Sequence, residues 1–495
     1  MIVRYFPILF LSLILSSCIP SHCRQEAKEM PQEALEKAAD KTFDEYSVEP
    51  MPCQWWEFFH DAQLNNLVEQ ALCQNPTFQT SQKRILGAIA KAMETRSILY
   101  PSLNWQADVQ RIKLSKTGVF PPSVTIPGTG ISPAPVIPGL IPFSFTQYET
   151  FFSFSFDLDL WGKNRNTYAA RLNEIQARAA DASFAKLILS AGVVEAYLQL
   201  QIDYERKQLA KELYQNRQDY AHLTSQRIEN NLESQIFGNT IDLQISQTKG
   251  NLIDIESLEH MHTIALQALV SGDFQETIAP LHISKNPLPK LPYPCNLPLH
   301  LLARRPDIQA SLWTVEASNH LVQVAKAGFY PDVNLLGFFG FQTLDFSKFF
   351  QWASSYGDAE AAVTLPIFDA GRIRSHLQDA YIDQDIAILH YNELVVQAVK
   401  EVLEALTLLA TNKEKLSQYQ NEAGLQEEIY RLTYLKAQNH LESELNALDA
   451  KKNALVAADL ALVAYGNVLQ QIVQLIKALG GDYESSSESN EAPQC

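Results

Sequence analysis

The sequence predicts a mainly α-helical fold that also contains a small two-faced β-sheet and is built from two internal repeats. Short stretches in which apolar and polar residues alternate predict the strands, because successive side chains of a strand point to opposite faces. Proline-free, charged stretches that are far longer than ordinary helices predict the helical part. In each half of the chain the alternating stretch passes into such a helix at a glycine, Gly162 and then Gly371.

The N-terminus has the pattern of an export signal followed by a lipid anchor. Residues 1–17 contain Arg4 and an apolar run, and small residues precede Cys18. This pattern predicts a signal peptide over 1–17 and lipidation of Cys18. More than one acyl chain on Cys18 would attach this end of the chain stably to a bilayer. The alternative is an ordinary signal peptide with an incidental cysteine. Residues 18–52 are predicted to be an extended polar tether.

The cysteines do not have the spacing of a metal site. The chain has six, and none forms a CxxC pair. A disulfide among Cys53, Cys73 and Cys295 is an open alternative for an exported protein. We predict no metal and no cofactor.

The first repeat spans residues 53–279. Its first helix is predicted to begin after Asp61, which can accept hydrogen bonds as an N-cap, and to continue toward Arg96. An alternating stretch at 102–110 predicts a strand, and a second alternating stretch runs from 148 to 160. The seven prolines between 117 and 146 predict a loop that separates the two strands.

Two long helices complete the first repeat. The helix predicted over 166–229 would be roughly 95 Å long, at about 1.5 Å per residue. A turn near 230–238 leads into a second helix that ends near Ser271.

The second repeat, residues 299–479, follows a proline-rich connector at 280–298. The same interval separates Pro76 from Pro101 as separates Pro306 from Pro331. Further on, each half has a Leu-Glu-Ser motif at the same distance after its glycine. Equal spacings of this kind indicate that one supersecondary unit occurs twice. The Ser- and Glu-rich tail at 480–495 is predicted to be disordered.

The predicted strands have one polar and one apolar face. The polar side chains expected to line water are Asp157, Asp159, Asp358 and Glu360. The apolar side chains expected to face lipid are Phe154, Phe156, Leu158, Val363 and Leu365. Four strands cannot close a barrel, and open sheet edges do not occur in lipid, so a barrel shared between several chains is predicted. Three chains would give twelve strands. The alternative is a soluble sheet with one wet face.

Other classes of protein fit the sequence poorly. After the N-terminus we find no apolar window of about 18 residues, so no membrane-spanning helix is predicted. The net charge of -17 argues against a nucleic-acid partner. The histidines show no HExxH spacing and there is no GxSxG motif, so no catalytic residues are predicted.

Eight motifs in order give the chain, from about residue 50 to 481, a specific resemblance to one family. They are Trp55-Trp56, Tyr100-Pro101, Asp159-Leu160-Trp161-Gly162, Arg304-Arg305-Pro306-Asp307, Tyr330-Pro331, Leu365-Pro366-Ile367-Phe368, Leu448-Asp449-Ala450 and Leu479-Gly480-Gly481. The chain resembles the outer-membrane efflux proteins of the TolC/OprM family, with the lipoprotein (NodT-type) branch closest.

The resemblance implies an architecture and a function. It implies a homotrimer with a shared twelve-stranded barrel in the outer membrane and a long α-helical barrel in the periplasm. It also implies passive conduction of substrates delivered by an inner-membrane pump and a periplasmic adaptor protein.

The resemblance also implies a gate at the turns between the long helices. Asp449 matches the family's aspartate at the narrowest ring, Asn446 lies where some members have a second aspartate, and Asp242 is an expected partner in the first-half turn. The chain departs from the family at His440, where a glycine is usual, and at Glu442, where some members place a gate-locking arginine.

Two other functions stay open at this point. One is export of proteins or peptides by type I secretion, which uses the same fold. The other is a lipid-anchored periplasmic coiled-coil protein without a pore, which would have to bury the phenylalanine-rich strands in a soluble sheet.

Overall fold

The computed structural model describes residues 27–28, 54–113, 144–271, 288 and 304–481. The predicted signal peptide, Cys18, the proline-rich loop, and nearly all of the tether, the connector and the tail lie outside these residues. Cys53 and Cys295 lie outside them as well, while the thiol of Cys73 is free and exposed.

The described elements follow the predicted order. After a short 3-10 helix, Trp55–Phe59, they are α1 (Ala62–Gln74), α2 (Pro76–Ser97), β1 (Ser102–Lys113), β2 (Ser144–Asp157), α3 (Lys163–Glu229), α4 (Gln235–Val270), α5 (Pro306–Ala327), β3 (Asp332–Thr343), β4 (Ser355–Thr364), α6 (Arg372–Gln438) and α7 (Glu444–Ala478).

The two repeats are confirmed by the lengths of matching elements. Helices α2 and α5 both have 22 residues, and α3 and α6 both have 67. Strands β1 and β3 both have 12 residues. The closing helices α4 and α7 have 36 and 35 residues.

The single helix predicted from Asp61 toward Arg96 is wrong, because it breaks at Asn75. The Asn75 side chain accepts hydrogen bonds from the backbone N–H groups of Thr77 and Phe78, at 2.9 and 3.2 Å. This is the contact of an N-cap, and Pro76 then occupies the first helical position, where proline is favoured.

The expectation that no mature segment could span a membrane as a helix is also wrong on length and composition. Helices α3 and α7 each contain an 18-residue window that is apolar enough. Half of each window is buried inside the protein, as in the core helices of a water-soluble bundle.

The chain divides into two compact units that cut across the sequence repeats. The helical unit comprises Met1–Ile85, Gln176–Val315 and Gln384–Cys495, and the sheet unit comprises Leu86–Ile175 and Glu316–Asp383. Each unit therefore takes elements from both repeats.

The helical unit has one large apolar core. Its buried side chains come from the 3-10 helix, α1 and all five helices from α3 to α7, and include Trp55, Leu64, Tyr197, Val402 and Leu469. Full burial of one such side chain stabilises the fold by about 1.5–3 kcal/mol. The first motif of the sequence is thus a packing motif.

Asp61 ties α1 to α3. Its carboxylate accepts hydrogen bonds from the N–H groups of Gln63 and Leu64 at 2.9 and 3.2 Å, which confirms the predicted N-cap. The buried Tyr197 hydroxyl donates to the second carboxylate oxygen at 2.6 Å.

The Arg-Arg-Pro-Asp motif holds the end of α7. Arg305 is buried and donates to Asp307 at 2.7 Å, to Glu401 on α6 at 2.8 Å and to the carbonyl oxygen of Ala478 at 2.9 Å. One guanidinium therefore joins the start of α5, the middle of α6 and the last turn of α7.

The sheet unit contains one antiparallel sheet in the order β1-β2-β3-β4. Leu103 pairs with Phe154, Trp105 with Phe152, and Phe152 in turn with Phe339. Within the described part of the chain, β1 and β4 each pair on one side only. The sheet therefore has two open edges.

Candidate functional site

The sheet has an apolar face made of side chains that point to one side in this register. It comprises Leu103, Trp105, Val109, Phe152, Phe154, Phe339 and Val363. These side chains are exposed; Trp105 is 64% and Phe152 is 53% accessible. A contiguous apolar surface of this kind marks contact with a membrane or a partner.

Aromatic residues of the β3–β4 connection pack against the end of the apolar face. Phe346 lies 5.2 Å from Tyr148, and Trp352 lies 6.1 Å from Phe339, between ring centroids. Trp352 itself is strongly exposed. A girdle of aromatic side chains beside an apolar band is typical of β-barrels at the membrane–water interface.

The opposite, polar face carries the acidic residues of the strands. Of the predicted pore-lining residues, Asp157 ends β2 and Asp358 and Glu360 lie on β4, all on this face by register. Asp108 and Glu149, which we did not single out from the sequence, face each other across β1 and β2 on the same side. The register thus places these acidic side chains on one face of the sheet and none of them on the apolar face.

Asp159 lies beyond the end of β2, which was predicted to continue to residue 160 but stops at Asp157. The Asp159 carboxylate accepts hydrogen bonds from the N–H groups of Asn164 and Arg165 at 3.0 and 2.8 Å. A carboxylate at the positive end of a helix is stabilising, so Asp159 supports the first turn of α3. Leu158 and Leu365, expected to face lipid, likewise fall outside the strands.

A second candidate site lies at the two hairpin turns of the helical unit. Asn231 and His440 have positive φ angles of 56° and 58°. In both turns the N–H of the following leucine donates to the carbonyl oxygen five residues earlier, from Leu232 to Arg227 at 2.8 Å and from Leu441 to Lys436 at 2.9 Å. This is a Schellman cap, so His440 adopts the left-handed conformation for which glycine is usual.

The repeated Leu-Glu-Ser motif has a local explanation at these turns. The hydroxyl of Ser234 accepts from the N–H of Ile236 at 3.1 Å, and that of Ser443 accepts from Leu445 at 3.3 Å. Each serine is the N-cap of the helix that follows.

Above the turns, Arg217 of α3 reaches across to Asp449 of α7. The Nη1 atom of Arg217 donates to Oδ1 of Asp449 at 2.9 Å. The Arg217 side chain is 1% exposed and that of Asp449 is 45% exposed. The predicted gate aspartate is therefore paired within its own chain.

The rest of the Arg217 guanidinium is held on several sides. It donates to the carbonyl oxygen of Leu448 at 3.0 Å and to the side-chain oxygen of Asn216 at 2.7 Å. Gln244 of α4 accepts a longer bond of 3.4 Å, and the Tyr220 ring lies 4.8 Å below the guanidinium carbon. A buried arginine needs such partners, because an unpaired buried charge is costly.

Tyr220 responds to the same environment. Burial raises the pKa of the Tyr220 hydroxyl, and the nearby Asp449 carboxylate raises this pKa further, whereas Arg217 acts in the opposite direction. The phenol therefore stays neutral beside the ion pair at physiological pH.

The other predicted gate residues occupy different places. Asp242 is exposed, and within the described ranges its carboxylate forms no hydrogen bond. The Nδ2 atom of Asn446 donates to Glu442 at 2.7 Å, a contact that lowers the pKa of the Glu442 carboxyl. Of the three predicted gate residues, Arg217 therefore bonds Asp449 and neither Asp242 nor Asn446.

Arg217 was missed from the sequence. Arg217 and Asp449 are 232 positions apart, and the hydrophobic periodicity of a helix does not show which distant helix it packs against. The available signal was an arginine at helical spacing from Tyr220 and Thr224, which share one face of the predicted helix and are buried in the structure. In the part of the chain described here, no group of three His, Cys, Asp or Glu side chains could hold a metal ion.

Comparison with known proteins gives a consistent picture. The model of the family described as outer membrane efflux protein matches residues 67–270 and 297–481. The multidrug resistance outer membrane protein MdtQ of Escherichia coli O6:H1 is 30% identical over 490 residues, which cover 97% of this chain and 98% of MdtQ.

Solved structures show the same fold. The CmeC outer membrane channel of Campylobacter jejuni aligns with a TM-score of 0.78 at 23% identity, covering 95% of this chain and 96% of CmeC. The outer-membrane channel OprN aligns with a TM-score of 0.76 at 22% identity, covering 93% of this chain and 98% of OprN.

Proposed function

Since the chain belongs to the outer membrane efflux protein family, we propose that three copies form one efflux channel that is closed at its periplasmic end by the ion pair between Arg217 and Asp449. The protein is an outer-membrane efflux channel with a β-barrel and an α-helical barrel. What we infer beyond this is the assembly, the gate, the partners and the substrates.

The observation that carries the proposal is the sheet with two open edges and an exposed apolar face. In lipid, unpaired strand edges cannot be hydrated, so the strands must close into a barrel. Pairing β1 of one copy with β4 of the next supplies the missing hydrogen bonds, and three copies give twelve strands. The apolar face would then contact lipid and the acidic face would line water.

The gate proposal rests on the contacts of Arg217. They join α3 of the first hairpin to α7 of the second, so they resist any movement of one hairpin against the other. Opening would require the Asp449 carboxylate to leave a buried guanidinium. In this proposal the gate is an ion pair within each chain that keeps the two hairpins in place.

The partners follow from the family and from the exposed turns. We infer a periplasmic adaptor protein and an inner-membrane pump, with passive conduction and no catalysis by this chain. Leu232 and Leu441, at the two turns, are 67% and 77% exposed and offer an apolar surface to the adaptor. Attachment to the outer membrane would be strengthened by lipid on Cys18.

For the substrate we propose small toxic organic compounds. MdtQ, 30% identical over almost its whole length, is called a multidrug resistance protein. Export of proteins by type I secretion stays the alternative within the same fold.

The test is imaging and conductance of the same detergent-extracted protein. We expect a threefold particle by single-particle electron microscopy and ion conductance after reconstitution in planar bilayers. Deletion of the gene should also sensitise cells to toxic organic compounds. A monomeric particle that is soluble without detergent would overturn the channel.

A further inference from the structure

The polar face of the sheet contains an aromatic cluster that the channel architecture does not require. Phe151 lies 5.9 Å from Phe338 and 6.4 Å from Tyr356, and Phe338 lies 5.2 Å from Tyr356, between ring centroids. We call these three residues the aromatic triad. They come from β2, β3 and β4, so that the cluster spans three strands.

The triad forms because the strand between its outer members has no side chain at the crossing point. Gly340 on β3 is opposite Phe151 on one side and Tyr356 on the other. A Cβ on Gly340 would lie 2.5 Å from the Cβ of Phe151. The nearest atom to that Cβ would be the carbonyl oxygen of Thr150 at 2.0 Å, so only glycine permits this close approach of β2 and β3. With no side chain between them, the rings of Phe151 and Tyr356 lie 6.4 Å apart.

Carboxylates surround the triad. Glu149 accepts a short hydrogen bond from the Tyr356 hydroxyl, and Asp358 is paired with Phe338 in the register. Asp108 is directly opposite Glu149. Like charges opposite each other destabilise a sheet, and the described strand residues of this face include no Lys or Arg to compensate them.

Two features of the triad and its carboxylates do not stabilise the folded sheet. Apolar rings on the water-facing side stay partly exposed. The carboxylates repel one another without a basic partner among the strand residues of that face. Both features become favourable when an organic cation is present, because ring faces and carboxylates attract the same positive charge.

We propose that the aromatic triad, together with Glu149, Asp108 and Asp358, is a binding site for organic cations that carry aromatic groups. This inference rests on the proposed function, which places the polar face in the lumen of the barrel. Each channel would contain three such sites at the same level. The triad then selects solutes in transit by transient contact with rings and carboxylates.

The dimensions of the proposed barrel agree with a site on each subunit. Twelve strands spaced about 4.8 Å apart and tilted by about 40° give a backbone radius of roughly 12 Å. The rings of one subunit would therefore not reach those of another across the lumen. A bulky cation bound at one triad would therefore occupy part of the lumen and reduce the passage of small ions.

The test is block of single-channel current in planar bilayers by tetraphenylphosphonium, an aromatic monocation. Tetraethylammonium, which has the same charge and no rings, is the reference blocker. Each cation is added on the side of the bilayer opposite to the α-helical barrel. The variants are Phe151→Ala, Tyr356→Phe, Glu149→Gln and, as the matched control, Phe152→Ala, whose side chain points to the opposite face.

We expect tetraphenylphosphonium to block at concentrations at least tenfold lower than tetraethylammonium. Phe151→Ala and Glu149→Gln should each weaken this block at least fivefold, Tyr356→Phe should change it less because the ring remains, and Phe152→Ala should leave it unchanged. Equal block by both cations, or equal effects of Phe151→Ala and Phe152→Ala, would overturn the site. Protein that forms threefold particles but no conducting pores would instead overturn the proposed function.

Discussion

The buried guanidinium of Arg217 donates to the half-exposed carboxylate of Asp449 at 2.9 Å, across 232 positions of sequence. The two partners differ in what they lose when the pair breaks. Asp449 can be hydrated, whereas Arg217 would remain in the protein interior without its countercharge. The cost of opening therefore falls mainly on the arginine.

Asp449→Ala should raise single-channel conductance at neutral pH. The change removes one charge-assisted hydrogen bond, which contributes about 1.5–3 kcal/mol, and leaves the buried Arg217 guanidinium without its countercharge. Planar-bilayer recording measures the effect, and Asp242→Ala, at an exposed carboxylate without hydrogen bonds among the described residues, is the control. Unchanged conductance in intact Asp449→Ala trimers would remove this residue from the gate.

Arg217→Met should open the channel by the same route, and the two changes should not be additive. Methionine fills the buried volume without a charge. Because both changes remove one ion pair, the double variant should conduct little more than either single variant, with a coupling energy of about 0.5–3 kcal/mol. Full additivity of the two effects would show that the residues act independently.

Tyr220 should make the thermal stability of the protein sensitive to alkaline pH. Its folded-state pKa is raised above the ordinary value of about 10 by burial and by Asp449. The resulting stabilisation is fully present below about pH 10 and is lost as the pH rises through the folded pKa. We expect the thermal midpoint of the trimer to fall less steeply above that pH in Tyr220→Phe than in the native protein.

The comparison must be a difference between the two proteins, since other buried tyrosines also ionise late. Burial raises the pKa of Tyr465, for example, to about 12. Superimposable midpoint curves for Tyr220→Phe and the native protein would contradict the role of Tyr220.

Arg305→Lys should lower the thermal midpoint although it preserves the charge. Lysine cannot bond Asp307, Glu401 and the Ala478 carbonyl in the geometry of a planar guanidinium. Breaking a buried pair of this kind costs roughly 3 kcal/mol. Arg304→Lys, at the exposed neighbouring position, is the control. A midpoint equal to that of the control would show that the guanidinium contacts contribute nothing.

The sequence was sufficient for features set by local chemistry. Alternation located the strands, and absence of proline located the 67-residue helices, α3 and α6. Spacing alone revealed the repeat. The break at Asn75 was missed because the surrounding residues continue a helical pattern and only the cap contact ends it.

The candidate sites were predicted less completely, because they depend on contacts between distant segments. Asp449 was predicted as a gate residue from the motif Leu448-Asp449-Ala450. Its side chain bonds Arg217, which belongs to none of the recognised motifs. Asp159 was assigned to a strand face by alternation, although its carboxylate caps a helix. Alternation cannot tell the last residue of a strand from the first cap of the following helix.

The two open edges of the sheet also bear on how the protein reaches the membrane. A single chain would expose the unpaired backbone of β1 and β4 to lipid, so insertion one chain at a time would be unfavourable. Biogenesis of the proposed trimer would then be concerted, with association first and insertion second. A subunit whose β1 or β4 cannot pair would prevent two intact subunits from closing the barrel. Loss-of-function alleles in β1 or β4 would therefore be dominant.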